Sequence, residues 1–313
     1  MASQVSTMKP DQVAAYMVEL AVYKHKTHPL KLFLKAFTAG ILLSFGGLLS
    51  EIIQGGAGGL NATNPGIVKV LGGFVFPVGL VMIVLGGHEL LTSNMMIFPM
   101  ALIKRAVPLW SLPVNWIIVT FGNLVGSLFF AAIITKYSGI VETDPYKSFA
   151  VTFALHKARD PQWHQIFLRG IGCNWLVCVA VWQAYGARDT ISKVVSAWFP
   201  IWVFVACGFD HVIANMFSVP LGIMYGADLT TAEYIRKSLI AAYIGNIVGA
   251  LFVGLPAVYW YLGDWHPTDT ELRKLEGGRA ESDAASASQP PSRVESKDGT
   301  VQTSIQPVAD KRS

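Results

Sequence analysis

The sequence predicts an all-α polytopic membrane protein with six spans, built as two related halves of three spans each. Three observations carry that reading: scarce charge, six long apolar stretches, and a repeated pair of polar-interrupted segments. Of 313 residues, 52% are hydrophobic and 14% charged, against about 25% charged in an ordinary globular domain. Sixteen of the charged residues lie in 264–313, leaving about 11% charged in the first 263. That is too little to cover a soluble surface, which excludes a soluble enzyme or nucleic-acid binder. The first 263 residues carry a net +6 and the remainder −2, and no dense basic stripe exists to neutralise a phosphate backbone. Cys173, Cys178 and Cys207 all sit inside apolar runs, which argues against a disulfide framework.

Residues 1–31 precede the apolar chain. Within them Asp11 follows Pro10 as an N-cap, and Val13, Met17 and Leu20 recur at helical spacing. This predicts a short amphipathic helix on the membrane surface. The apolar stretches 32–54, 67–104, 113–136, 163–185, 194–226 and 233–262 each reach the roughly 20 residues a helical crossing needs. Together they define a transport domain over 32–262. The second and fifth are too long for one crossing and carry polar interruptions, so both are read as broken helices. Residues 263–313, rich in Ser, Ala, Pro and charge, are expected to form a disordered cytoplasmic tail. The first apolar run starts too late, and is too long, for a cleaved signal peptide.

Six crossings place both termini on one side. Lys24, Lys26, Lys31 and Lys35, with Lys104 and Arg105 after the second span, assign that side to the cytoplasm of a plasma-membrane protein. The loops near Asn61 and Lys147 then lie outside. The basic connection holding Lys136, Lys147, Lys157 and Arg159 votes the other way, while the sequon Asn61-Ala62-Thr63 suits an outside loop.

The duplication is the strongest signal. GHELLTSNMMIFPM (87–100) aligns with GFDHVIANMFSVPL (208–221), keeping Gly87/Gly208, Asn94/Asn215, Met95/Met216 and Pro99/Pro220 identical and Glu89/Asp210 acidic. GNLVGSLFFA (122–131) aligns with GNIVGALFVG (245–254) at six of ten positions. Phe33-Leu34-Lys35 matches Phe167-Leu168-Arg169 more weakly. Because three spans are odd in number, the second half must enter from the opposite face, which makes an inverted 3+3 repeat. The two polar interruptions then meet near the midplane, where a freed backbone is tolerated only if it lines a cavity or is buried in protein. Gly122/Gly126 and Gly245/Gly249 are read as close helix contacts.

Several motifs point away from enzymes. His88-Glu89-Leu90-Leu91-Thr92 suggests a zinc-protease helix, but that motif needs a second histidine where Thr92 stands. No ATP motif and no metal-ligating cluster is found, so neither enzymatic activity nor a metal or cofactor is expected.

Gly208-Phe209-Asp210-His211-Val212-Ile213-Ala214-Asn215-Met216 closely resembles the fifth-span signature of the formate/nitrite transporter family. Val22-Tyr23-Lys24, Glu89-Leu90-Leu91-Thr92 and the fourth-span run Arg169 to Cys178 resemble it in the right order, over about residues 10–262. The resemblance implies an aquaporin-like six-span protomer in a homopentamer, with one path per protomer. It implies movement of small monovalent weak-acid anions with a proton, nitrite first and formate next, with acetate or lactate as an alternative. The tail suggests a eukaryotic, fungal member.

The resemblance also assigns residues. His211 becomes the pore histidine, and Asn174 the asparagine that hydrogen-bonds its ring. Phe76, Leu80, Leu90, Leu91 and Phe204 become apolar constriction residues on its two sides. Thr92 is the polar donor within the break, Asn94 and Asn215 are the polar pair beside the path, and Lys24 and Lys157 are vestibule lysines on opposite faces. Apart from the resemblance, Asp210 stands one residue from His211, about 100° around a helix, and cannot easily share the lumen. It is assigned to structural hydrogen bonding at the break, as is Glu89. Two departures stand out: Asp210 where the family most often has Glu, and Leu91 where many members have Phe. A neutral-solute channel of the aquaporin kind is the rival. Its paired Asn-Pro-Ala turns are replaced here by Asn94-Met95 and Asn215-Met216.

Overall fold

The computed structural model describes residues 7–265, which are helical throughout apart from short connections. The expected tail, and the first residues of the N-terminal segment, fall outside the described residues except for 263–265. In chain order the helices are α1 (Pro10–Lys26), α2 (Pro29–Gly56), α3 (Gly58–Thr63), α4 (Pro65–Val75), α5 (Val78–Leu85), α6 (Leu91–Ile103) and α7 (Ser111–Phe129). They continue with α8 (Tyr146–Ala158), α9 (Trp163–Gly186), α10 (Thr190–Cys207), α11 (Val212–Met224), α12 (Thr231–Glu233) and α13 (Ile240–Ala257). Wider π-type turns extend α7 over Phe130–Tyr137 and precede and follow α13. Six helical stretches, 29–56, 65–85, 111–137, 163–186, 190–207 and 231–262, are long and apolar enough to cross a membrane.

Local chemistry sets the starts. Proline stands at the first turn of α1, α2 and α4, where its missing N–H would find no intrahelical partner anyway. Asp189 caps α10 by accepting the Ser192 N–H at 2.8 Å, the usual N-terminal device. The second and fifth apolar stretches are each divided: residues 86–90 separate α5 from α6, and 208–211 separate α10 from α11. Gly87 (φ 63°) and Gly208 (φ 79°) turn the chain there through the left-handed region, which a residue without Cβ enters at no steric cost.

Packing repeats between the halves. In α7, a Cβ at Gly122 or Gly126 would run into the Phe33 or Phe37 carbonyl of α2. In α13, a Cβ at Gly245 or Gly249 would run into the Phe167 or Ile171 carbonyl of α9. Small residues let backbones approach where lipid tails give helices no hydrophobic reason to associate.

One expectation changes here. Val13, Met17, Val18 and Ala21 of α1 are buried, with α1 packed on α6 and α9. The face read as membrane-seeking covers protein: α1 packs over α6, which is buried from Leu91 to Ala101.

Candidate functional site

The site forms where α6 and α11 begin. Leu90 and His211 occupy corresponding N-cap positions with extended backbone. Leu90 offers no capping atom, whereas the His211 ring does: its Nδ1 accepts the Ala214 N–H at 3.0 Å. A nitrogen that accepts carries no proton, so in the neutral ring the proton sits on Nε2. Nε2 lies 3.1 Å from the Thr92 hydroxyl, and it donates there. This bond joins the first turns of two helices, so two positive dipole ends converge on the histidine.

A matched scaffold holds the two N-termini. Asn123 accepts the Leu91 N–H at 3.0 Å and donates to the carbonyls of Ala36 and Glu89 at 2.8 and 2.9 Å. Asn246 accepts the Val212 N–H at 2.9 Å and donates to those of Gly170 and Asp210 at 2.9 and 3.0 Å. Each asparagine satisfies an orphan helix N–H and one carbonyl at the division, that of Glu89 or Asp210, groups that hydrocarbon leaves without water. It also ties them to a carbonyl inside a neighbouring helix, Ala36 of α2 or Gly170 of α9. Sequence reasoning passed over both. They stand in the aligned Gly-Asn pairs, where attention to the glycines hid them.

The acids and lysines pair. Lys24 Nζ lies 2.7 Å from Glu89 Oε2 and donates to Asn94 Oδ1 at 2.8 Å. Asn94 also donates to Glu89 and to Asn115. In the other half, Lys157 Nζ lies 3.0 Å from Asp210 Oδ1 and donates to the Gly208 and Phe209 carbonyls. Asn215 donates to Asp210 at 3.4 Å. Lys24 is only 4% exposed. It was expected in an open vestibule, yet its charge is spent on Glu89, a carboxylate that could not be buried without a partner.

Asn174 also departs from expectation. It does not bond the histidine ring; it donates to the Thr92 carbonyl at 3.1 Å and the Asn246 carbonyl at 2.8 Å. Its influence on the ring passes through the position of Thr92. Both amide N–H groups are used in bridging α6 and α13, and Oδ1 takes the Cys178 thiol at 3.8 Å.

A cavity of about 390 Å³ leads from buried His211 to exposed Lys69 and His156, past Phe76, Phe204, Lys157 and Asn215. The Phe76 and Phe204 rings meet edge to face at 5.6 Å, and Phe204 stacks on His211 at 5.9 Å. Leu80, Leu90, Leu91 and Thr92 do not line this cavity and are buried at 2% exposure or less. Among the described residues no cluster of three or more His, Cys, Asp or Glu suits a metal ion.

Six helical stretches long and apolar enough to cross a membrane, with two shorter helices whose N-terminal turns meet at Thr92 and His211, define a multi-pass membrane protein. The formate/nitrite transporter family profile matches residues 11–261. The chain belongs to that family. It is 39% identical over 271 residues to a probable formate transporter of Methanothermobacter thermautotrophicus, covering 82% of this chain and 97% of that one. It is 40% identical over 248 residues to the formate channel BtFdhC of Bacillus thuringiensis, covering 79% and 93%. Among solved structures it is similar to a pentameric formate channel with formate bound, with TM-score 0.65 and 32% identity over 75% of this chain and 98% of that one.

Proposed function

We propose that the protein moves small monovalent weak-acid anions, formate and nitrite, together with a proton, through one path per protomer. The observation that carries this is the Thr92–His211 bond, which places two positive helix ends and one titratable ring together between apolar walls. A bare anion entering the Phe76–Phe204 constriction loses its water at a cost of several kcal/mol. The helix ends draw the anion in, and low dielectric favours its protonated form. A proton from bulk water or relayed by His211 gives a neutral acid, which passes Phe76, Phe204, Leu80, Leu90 and Leu91. The walls distinguish nitrite from formate by nothing in their chemistry. The names of the two relatives support formate, which the sequence placed second.

The repeated contacts of Asn123 and Asn246 support reading the halves as an inverted repeat. The pentameric relative supports a homopentamer, with the exposed apolar rows of the spans facing lipid and neighbouring protomers. Plasma-membrane placement with cytoplasmic termini completes the proposal. Purified protein in liposomes, loaded with a pH-sensitive dye, should take up labelled formate and acidify in step. Uptake without acidification would reject the proton.

A further inference from the structure

The transport reading uses His211 and leaves a buried acid in the cavity wall without a task. Glu51 lies in α2, inside the first span. It is 6% exposed, and its Oε1 has no hydrogen-bond partner among the described residues. It lines the same cavity as His211, Asn215 and Ser218, with the Ser218 hydroxyl beside it. The other titratable or charged groups of that wall are Lys69 on α4, His156 and Lys157 on α8, Arg169 on α9, Cys207 on α10, and His211. Lys157 is already paired with Asp210, and His156 with Asp160. No ion pair is formed by Glu51 among the described residues.

An ionised carboxylate facing an anion path would repel the cargo, and an ionisable residue inside a span is retained only for a purpose. Two carboxylate-like groups that meet there cannot both stay ionised, so they share one proton. On the reading above, we infer that Glu51 is the proton donor of this vestibule and contacts the anion before it reaches the Phe76–Phe204 constriction. The O–H of the Glu51 carboxyl donates to an anion oxygen in a short charge-assisted bond. The O–H bond then breaks and the proton moves to the anion. A neutral acid and a Glu51 carboxylate result. The acid moves on past Phe204, and a hydronium ion from the open end of the cavity restores the carboxyl. His211 relays a proton less directly, because Nδ1 holds the Ala214 N–H and Nε2–H reaches the cargo only when its bond to Thr92 opens.

The test uses the assembled wild-type protein and two variants in liposomes, with labelled formate and an internal pH dye. Glu51→Gln keeps shape and polarity but has no proton to give. It should cut coupled formate and proton uptake about tenfold or more, while Glu51→Asp retains part of the rate. A second measurement needs no variant. Dicyclohexylcarbodiimide reacts with protonated carboxyls in apolar surroundings, so mass spectrometry should find its adduct on Glu51, suppressed by excess formate, and not on the ion-paired Glu89 or Asp210. Wild-type coupled uptake by Glu51→Gln would overturn the inference, as would an unmodified Glu51. If the wild type itself takes up formate without acidification, the transport reading fails first, and that outcome is distinct.

Discussion

At the scale of single residues, His211 does two jobs. Its Nδ1 caps α11 and its Nε2 reaches Thr92 on the other half of the chain. His211→Phe keeps a ring against Phe204 but loses both, so coupled transport should fall about a hundredfold, and stability by about 1 kcal/mol for the lost cap. His211→Asn restores a capping oxygen without a proton-accepting ring nitrogen. It should recover the melting temperature but not the transport. Transport at the wild-type rate by His211→Phe across the acidic range would remove the histidine from the mechanism. Lys24 behaves differently. Its ammonium neutralises a buried carboxylate at 2.7 Å, so Lys24→Ala should destabilise the fold by about 3–5 kcal/mol. Glu89→Gln added to it should restore part of that loss, as thermal unfolding in detergent would show. A variant that folds normally and merely binds anions more weakly would return Lys24 to an open vestibule.

At the scale of elements, the glycine contacts decide which helices touch. A Cβ at Gly249 meets the Ile171 carbonyl, whereas one at Gly58 meets nothing within 4 Å. Gly249→Ala should therefore lower the melting temperature and loosen assembly by forcing α9 and α13 apart, a cost of about 1–3 kcal/mol. Gly58→Ala should leave both unchanged. Equal melting temperatures for the two variants would show that the carbonyl contact yields freely. Much of this level is legible in the sequence, since the matched Gly-Asn pairs and the polar interruptions fix where spans end and which positions correspond. Less legible is what the polar residues touch. Lys24 and Glu89 are far apart in sequence, and neither hydropathy nor spacing couples them; only folding α1 over α6 does. Glu51 shows the other failure. A lone acid in an apolar run is visible, but the repeat-equivalent position is Tyr185, so a search guided by duplication passes over it.

At the scale of the whole molecule, the topology can be read from outside the cell. With Cys207, which is exposed and lines the cavity, first replaced by serine, Asn61→Cys should react with an impermeant thiol reagent in intact cells and Pro290→Cys should not. Labelling at position 290 would place the C-terminal segment outside. The substrate argument belongs to this scale too, because no single side chain performs it. At the constriction the walls are the Phe76 and Phe204 rings, with His211 beside them, and they offer no group fitted to one anion's shape. Selection therefore rests on size, on single charge and on reaching a neutral form within the path. Formate and nitrite are conjugate bases of weak acids, so lowering external pH from about 8 to about 6 supplies protons and should raise their uptake. Nitrate is of similar size, but its conjugate acid is too strong to form at these pH values, so nitrate should stay outside at every pH. Vigorous nitrate uptake, or formate uptake indifferent to both pH and a protonophore, would show that the anion crosses Phe76 and Phe204 still charged. The converging ends of α6 and α11 would then have to carry the full desolvation of the anion by themselves.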